Sequence, residues 1–178
     1  MSEETHSTDG SPAVGVTVRT ATQTDVPALA TLFCEEHGGA ADQTAPHIAD
    51  HFKLIAEGLP DYVCVAEIDS MVVGFGKCGH RAMGELGAVN LPDGFYLAGV
   101  YTTPRFRRRG VGHEVTVHRL QWISQHADAA YYFTDTDNEA SIALHVAMGF
   151  VEVRSDASPP RGAPQKTPHQ VLFRKTFR

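Results

Sequence analysis

The chain has few of the residues that staple or anchor small proteins. Among its 178 residues are three cysteines, Cys34, Cys64 and Cys78, scattered and odd in number. That speaks against a disulfide framework and gives no metal-ligand spacing. Burial is the default for each thiol, and the expected compartment is the reducing cytoplasm. Long apolar runs are missing too, so no membrane-spanning helix is expected. Positive charge is in deficit, with 15 Lys and Arg against 21 Asp and Glu and a formal net charge of −6. A nucleic-acid surface is thereby disfavoured, and a cationic small partner mildly favoured. His47 and His51 form the one i,i+4 histidine pair, but they lack Cys or acidic partners at ligand spacing. The pair reads as a solvated helix face, and no metal is expected. Residues 1–14 lack the apolar segment of a secretory signal and read as a disordered tail before a single domain over 15–178.

What is present is a globular composition, 42% hydrophobic, arranged in short periodic segments. Alternating β-branched residues predict a strand over 16–20. Thr24 is placed to cap a helix from Asp25, with Val26, Leu29, Leu32 and Phe33 on one face. A second short helix is expected over 45–57, with Ile48, Phe52 and Ile55 inward. The apolar runs 62–67 and 71–77 flank Asp69-Ser70 and read as a hairpin. After a loop over 81–93, the run 95–101 reads as a buried strand. A helix over 113–127 follows, with Val117, Leu120, Ile123 and Ala127 as its buried stripe. Then come a strand over 131–134 and a helix capped by Asp137 or Asn138, with Gly149 as its left-handed stop. A strand over 150–154, a Pro/Ser/Gly-rich loop over 155–168 and a strand over 170–175 complete the chain. This order predicts one α/β (α+β) domain, with helices flanking a mixed, mostly antiparallel sheet of six to seven strands.

The stretch Pro104-Arg105-Phe106-Arg107-Arg108-Arg109-Gly110-Val111-Gly112 lies where the buried strand hands over to its helix. A glycine turn there aims several backbone N–H groups at one point, and the helix N-terminus adds free donors and a partial positive charge. Gly110 and Gly112 carry no Cβ, so a phosphate can approach the main chain. The stretch reads as a pyrophosphate cradle, with a solvated basic loop as the alternative. It is neither a Walker loop nor the GxGxxG turn.

Two blocks carry a resemblance. Pro104, Arg107, Gly110 and Gly112 match Gln/Arg-x-x-Gly-x-Gly/Ala with its preceding proline. Asn138, Ser141, Leu144, Gly149 and Phe150 match much of Asn-x-x-Ala/Ser-x-x-Leu-Tyr-x-x-x-Gly-Phe. With the element order, the chain resembles the GNAT superfamily of N-acetyltransferases over residues 16–178, and the resemblance implies that fold. Thr134-Asp135-Thr136-Asp137-Asn138, with His145 near the Tyr position, is similar to the aminoglycoside 6'-N-acetyltransferases. Ala98 stands where that branch commonly carries Glu.

The resemblance implies direct acetyl transfer from acetyl-CoA to an amine, with no metal. Arg107, Arg108, Arg109, Gly110, Val111, Gly112 and His113 would hold the cofactor's pyrophosphate. Val100, Tyr101 and Thr102 would pair with its pantetheine arm, and the N–H of Tyr101 or Thr102 would polarise the thioester carbonyl. Asn138 would meet a pantetheine amide, or serve only as a helix cap. His145 would be the general acid, an imidazolium near neutrality, with Tyr131, Tyr132 and Tyr101 as competitors. Asp135 would act as base or water relay, and Tyr96, Asp135 and Asp137 would face the acceptor. That acceptor is expected to be a primary amine of a small molecule such as an aminoglycoside. The alternatives are a protein N-terminus or lysine, or a non-catalytic acyl-CoA-binding module. Dimers are common among proteins the chain resembles. The arginine run has RNA as a rival partner, which the acidic remainder disfavours.

Overall fold

Asp69 and Ser70 both adopt left-handed backbone, with φ of 50° and 60°. Such a two-residue turn matches the twist of antiparallel strands, so the expected hairpin forms there. It joins β2 (Asp61–Ile68) to β3 (Met71–Arg81). Before them come β1 (Thr17–Thr20), α1 (Val26–His37) and α2 (Ala41–Ala56). After them come β4 (Gly94–Thr102), α3 (Val111–Ser124), β5 (Ala129–Asp135), α4 (Glu139–Ala147), β6 (Val151–Ala157) and β7 (Gln170–Thr176). The computed structural model describes residues 15–88, 90–158 and 170–177. The expected tail and most of the expected 155–168 loop lie outside the described residues.

The strands form one sheet in the order β1-β2-β3-β4-β5-β7-β6. Only β4 and β5 run parallel; the other neighbours are antiparallel. Along β2 the side chains alternate between two cores. Tyr62, Cys64 and Ala66 join Val111, Val115 and Ile123 of α3. Val63 and Val65 join Leu29 and Leu32 of α1, against which Ile48, Phe52 and Ile55 of α2 also pack. The sheet is therefore covered on both faces, which is why β2 is apolar throughout rather than alternating.

Several boundaries differ from the sequence pattern. Thr22, not Thr24, begins the capping arrangement: its N–H donates to Asp25 Oδ2 at 2.7 Å, and a 3₁₀ turn, Gln23–Asp25, precedes α1. Asp25 is buried but paired with Arg19 at 2.8 Å, and the Arg19 hydrogen bond lowers its carboxyl to about 2. α2 starts earlier than expected, at Ala41, so Pro46 lies inside it. A proline that close to the N-terminus costs one hydrogen bond and the helix tolerates it. On α3 the buried face is Val111, Val115, Thr116, Arg119, Leu120 and Ile123, and Val117 is only partly buried. Two polar residues on the core face hid that stripe from a count of apolar spacing. Residues 155–157, expected as loop, extend β6, because Ala157 pairs with Gln170. Asn90 braces that end, donating to Asp156 O at 2.7 Å and accepting from Ser158 N at 2.8 Å.

Candidate functional site

Parallel β4 and β5 are paired only at Phe95–Ala130 and Tyr96–Tyr131. Beyond those residues the strands part, and the second half of β4 shows β5 an open edge. A bulge sets the separation. Gly76 pairs with Val100 and Lys77 with Ala98, so Gly99 is an extra residue in β4, with φ of 68°. Left-handed backbone of that kind favours glycine. Thr103 N–H donates to Val73 O at 2.9 Å, beside the Gly74–Thr102 pair. Alternation along an antiparallel ladder then turns the backbone of Tyr101 toward β3, and that of Val100 and Thr102 toward the opening. Of the two donors expected from sequence, Thr102 N–H is the one on the open side.

At the end of β4 a 3₁₀ turn, Pro104–Phe106, leads to Arg108 with φ of 59° and Gly110 with φ of 80°. Gly110 is the N-cap of α3 and offers no side chain to its first turn. Among the described residues no hydrogen bond occupies the N–H groups of 108–113, whereas the Gly110 carbonyl accepts from Glu114 N at 3.0 Å. These donors border a cavity of about 310 Å³ whose walls include Arg107, Arg108, Gly112, Ala140 and Leu144. A Cβ built on Gly112 would lie 3.5 Å from Val100 and 4.0 Å from Leu144, ordinary contacts. The protein's own packing therefore does not demand glycine there. A diphosphate fits this corner: free donors, a helix N-terminus and room for close approach.

The arginines divide. Arg107 pairs with Glu36 of α1 at 2.6 Å and donates from Nε to Thr102 O at 3.1 Å. Arg105 and Arg109 lie 5.0 and 5.3 Å from the centre of the Phe106 ring. Arg107 thus bridges the cradle to α1 rather than reaching outward alone.

The cavity continues along the splay as a slot of about 510 Å³. Its floor holds a group of residues from β5 and α4. Tyr132 O–H donates to Ser141 Oγ at 2.6 Å, which leaves the serine proton to point elsewhere. The His145 ring stacks on Tyr132, centroids 3.7 Å apart and 8° from parallel. Its Nδ1–H donates to Ser141 O at 2.8 Å, and the buried Nε2 has no partner among the described residues. Burial pushes the imidazole down to about 4, against the opposing effect of the Ser141 carbonyl, and the Arg119 charge adds to the depression. His145 is therefore neutral at neutral pH and does not carry the imidazolium proton expected from sequence. Both ends of the Asn138 amide are engaged: Oδ1 accepts from Ser141 N at 3.4 Å and Nδ2 donates to Thr134 Oγ1 at 3.1 Å.

Arg119 was not legible as a site residue. It is fully buried beneath the bulge and has no carboxylate partner among the described residues. Nη1 donates to Lys77 O at 3.0 Å and to Gly99 O at 2.9 Å, Nε to Val115 O at 3.3 Å and Nη2 to Thr116 Oγ1 at 3.0 Å. Those carbonyls replace its hydration, although burial still lowers its pKa. An arginine amid an apolar stripe was the only sequence signal.

On the other side of the splay lies a cavity of about 540 Å³ sharing Leu97, Gly99, Tyr101, Phe133 and Thr134 with the slot. Asp135 lies on its wall and accepts from Gln170 Nε2 at 3.1 Å. Tyr96 contributes its ring, because its hydroxyl is spent on Pro92 O at 2.7 Å. His37 Nε2 meets the Tyr101 hydroxyl at 3.1 Å, closing α1 over the entrance. Asp137 is exposed in the turn before α4 and is not among the walls of these cavities. Burial pushes the thiols of Cys64 and Cys78 up to about 11 and about 12, so neither is a ready nucleophile. Among the described residues no group of three or more His, Cys, Asp and Glu is placed to hold a metal, and no helix is long and apolar enough to cross a membrane.

Residues 26–150 match the family model described as the acetyltransferase (GNAT) family. A stretch of 62 residues is 34% identical to an Arabidopsis thaliana protein described as a probable N-acetyltransferase HLS1-like. That stretch covers 34% of this chain and only 15% of the plant protein. The fold is similar to the ribosomal-protein-alanine N-acetyltransferase of Brucella melitensis, with a TM-score of 0.67 and 21% identity over 90% of this chain and 99% of that one. It is also similar to the paia N-acetyltransferase of Thermoplasma acidophilum solved with coenzyme A, with a TM-score of 0.65 and 11% identity over 91% and 99%. At such identities these structures speak to the fold alone.

Proposed function

The chain belongs to the GNAT family of acetyltransferases, and from that premise we propose that it transfers acetyl from acetyl-CoA directly to a primary amine of a small molecule. The observation that carries this reading is the run of unengaged N–H groups at 108–113 facing open space, with a glycine at 112 that the protein's own packing does not need.

In this reading the 108–113 amides hold the pyrophosphate, and the Val100 and Thr102 edge of β4 pairs with the pantetheine arm. Acetyl-CoA supplies an activated acyl carbon. Thr102 N–H, on the open side of the strand, stabilises charge on the thioester oxygen. The amine nitrogen bonds to that carbon as the carbon–sulfur bond breaks; the nitrogen gives up a proton and the sulfur takes one. Ser141 O–H supplies the sulfur's proton, Tyr132 behind it supplies the serine in turn, and Tyr132 regains a proton from solvent through the slot once the products leave. His145, neutral and stacked on Tyr132, is a positioning residue that keeps this pair in place. Asp135 draws the ammonium toward the junction of the cavities and orients the water that removes its proton.

A second reading has one observation in its favour: the Brucella protein of similar fold is a ribosomal-protein-alanine N-acetyltransferase. Acetylation of a protein N-terminus is therefore the rival acceptor, and a non-catalytic acyl-CoA-binding module is the rival class. Two measurements separate them. Acetyl-CoA at a hundred times its Kd stabilises a protein that binds it by about 2.7 kcal/mol, which appears as a raised Tm. Release of free thiol with an amine panel then reports transfer. No shift at millimolar acetyl-CoA defeats the cradle. A shift with no thiol release for any amine or peptide supports the binding module, and release with peptides alone supports the protein acceptor.

A further inference from the structure

The two walls of the acceptor cavity carry opposite charge. On the β5–β7 side stand Asp135 and Gln170, paired in register and joined by the 3.1 Å hydrogen bond. Gln170 is 2% exposed, and its Oε1 has no donor among the described residues. Folding has left a buried acceptor on this wall that a ligand N–H would satisfy. Across the splay, on β3, stand Lys77 and Arg81. Arg81 is already neutralised, because its guanidinium grips the Asp61 carboxylate. Lys77 is not. It is partly buried, and no hydrogen bond or ion pair reaches its Nζ among the described residues. Burial, and after it the Arg81 charge, lower its pKa against the opposing charge of Asp61.

Behind Lys77 the space continues. A recess of about 390 Å³ under α2 shares Phe33, Lys77 and Tyr101 with the acceptor cavity, and its walls include Leu29, Ile48, Phe52, Val63 and Phe75. Its walls are mainly apolar, with Thr44, His47 and His51 of α2 as the polar exceptions, and it offers a body of moderate size a place to sit. His51 faces the buried Asp61 at 3.2 Å rather than standing on a solvated helix face.

Resting on the acetyl-transfer reading above, we propose that the acceptor is a free amino acid with an apolar side chain: its ammonium docks on Asp135 and Gln170, its carboxylate on Lys77, and its side chain enters the recess under α2. A purely cationic acceptor such as a polyamine or an aminoglycoside would face Lys77 with nothing to pair with it. A peptide N-terminus would bring an amide where the lysine calls for a carboxylate.

The test compares leucine and phenylalanine with their amides, with isopentylamine, spermidine, an aminoglycoside and an Ala-initiated peptide, using thiol release from acetyl-CoA. The free amino acids are expected to exceed their amides in kcat/KM by about tenfold or more, the scale of one charge-assisted hydrogen bond. Lys77→Met is expected to erase that ratio, chiefly through KM, and Lys77→Arg to keep most of it. An unchanged acetyl-CoA-induced rise in Tm shows that both variants fold. Equal or better turnover of the amides, spermidine, the aminoglycoside or the peptide overturns the inference while leaving acetyl transfer intact. So does an acid-to-amide ratio that survives Lys77→Met. Silence of every acceptor together with no Tm shift overturns the acetyl-transfer reading, and this inference with it.

Discussion

The start of α3 presents main-chain N–H groups; the far wall of the splay presents side chains. The first surface comes from six consecutive residues, 108–113, whose N–H groups have no hydrogen-bond partner among the described residues. The second comes from β3, β5 and β7, which bring Lys77, Asp135 and Gln170 together across nearly a hundred positions of sequence. A diphosphate needs donors and room, which any backbone can supply once side chains are withheld. An acceptor must be told from others, and that takes side chains whose charge and spacing are particular. In the proposed reading one surface grips a common handle, and the other chooses.

The largest expected effect lies where the two surfaces meet. Below pH 6.5 an unfolded His145 takes a proton that the folded ring refuses until about pH 4. The unfolded state binds more protons in that window, so stability is lost as pH falls through it, by about 3 kcal/mol in full. Chemical denaturation across pH 7 to 4 should show this loss in the wild type and a smaller one in His145→Phe; equal losses would mean that the ring titrates normally. Next, Gly112→Ala should leave Tm unchanged or higher yet raise the KM for acetyl-CoA about a hundredfold, as a methyl displaces the ligand from the amides. A normal KM would show that the glycine is incidental and that the contrast between main-chain and side-chain surfaces is false. Ser141→Ala should lower kcat some tens-fold without changing acetyl-CoA affinity, a modest share of what a positioned acid contributes; an unaltered kcat moves the proton to another donor. Smallest of all, Glu36→Gln should change stability by less than about 1 kcal/mol, because its 2.6 Å pair with Arg107 is exposed. The same change releases Arg107 toward the cradle and should lower the KM for acetyl-CoA slightly; a higher KM would show that the pair itself positions the arginine.

The element order, the mixed sheet and the glycine turn before α3 were legible in sequence, because their signals are local. Glycines at 110 and 112, an apolar run before them and a helix after them say enough. The apolar-spacing rule failed on α3, where Thr116 and Arg119 face the core: two of the carbonyls that satisfy Arg119, those of Lys77 and Gly99, come from β3 and β4 and cannot be counted along one helix. His145 was found as a residue but not as a protonation state, since its neutrality depends on the rings of Tyr132 and Phe150 closing around it. Asp137 reads as an acceptor ligand only while the turn that exposes it is unseen. Lys77 and Gln170 carry no motif; register alone makes them neighbours of the opening.

Arg119 Nη1 holds the Lys77 and Gly99 carbonyls at once. The peptide at the β4 bulge and the backbone of Lys77 therefore hang from one guanidinium. Loosening either carbonyl leaves the same buried guanidinium short of an acceptor.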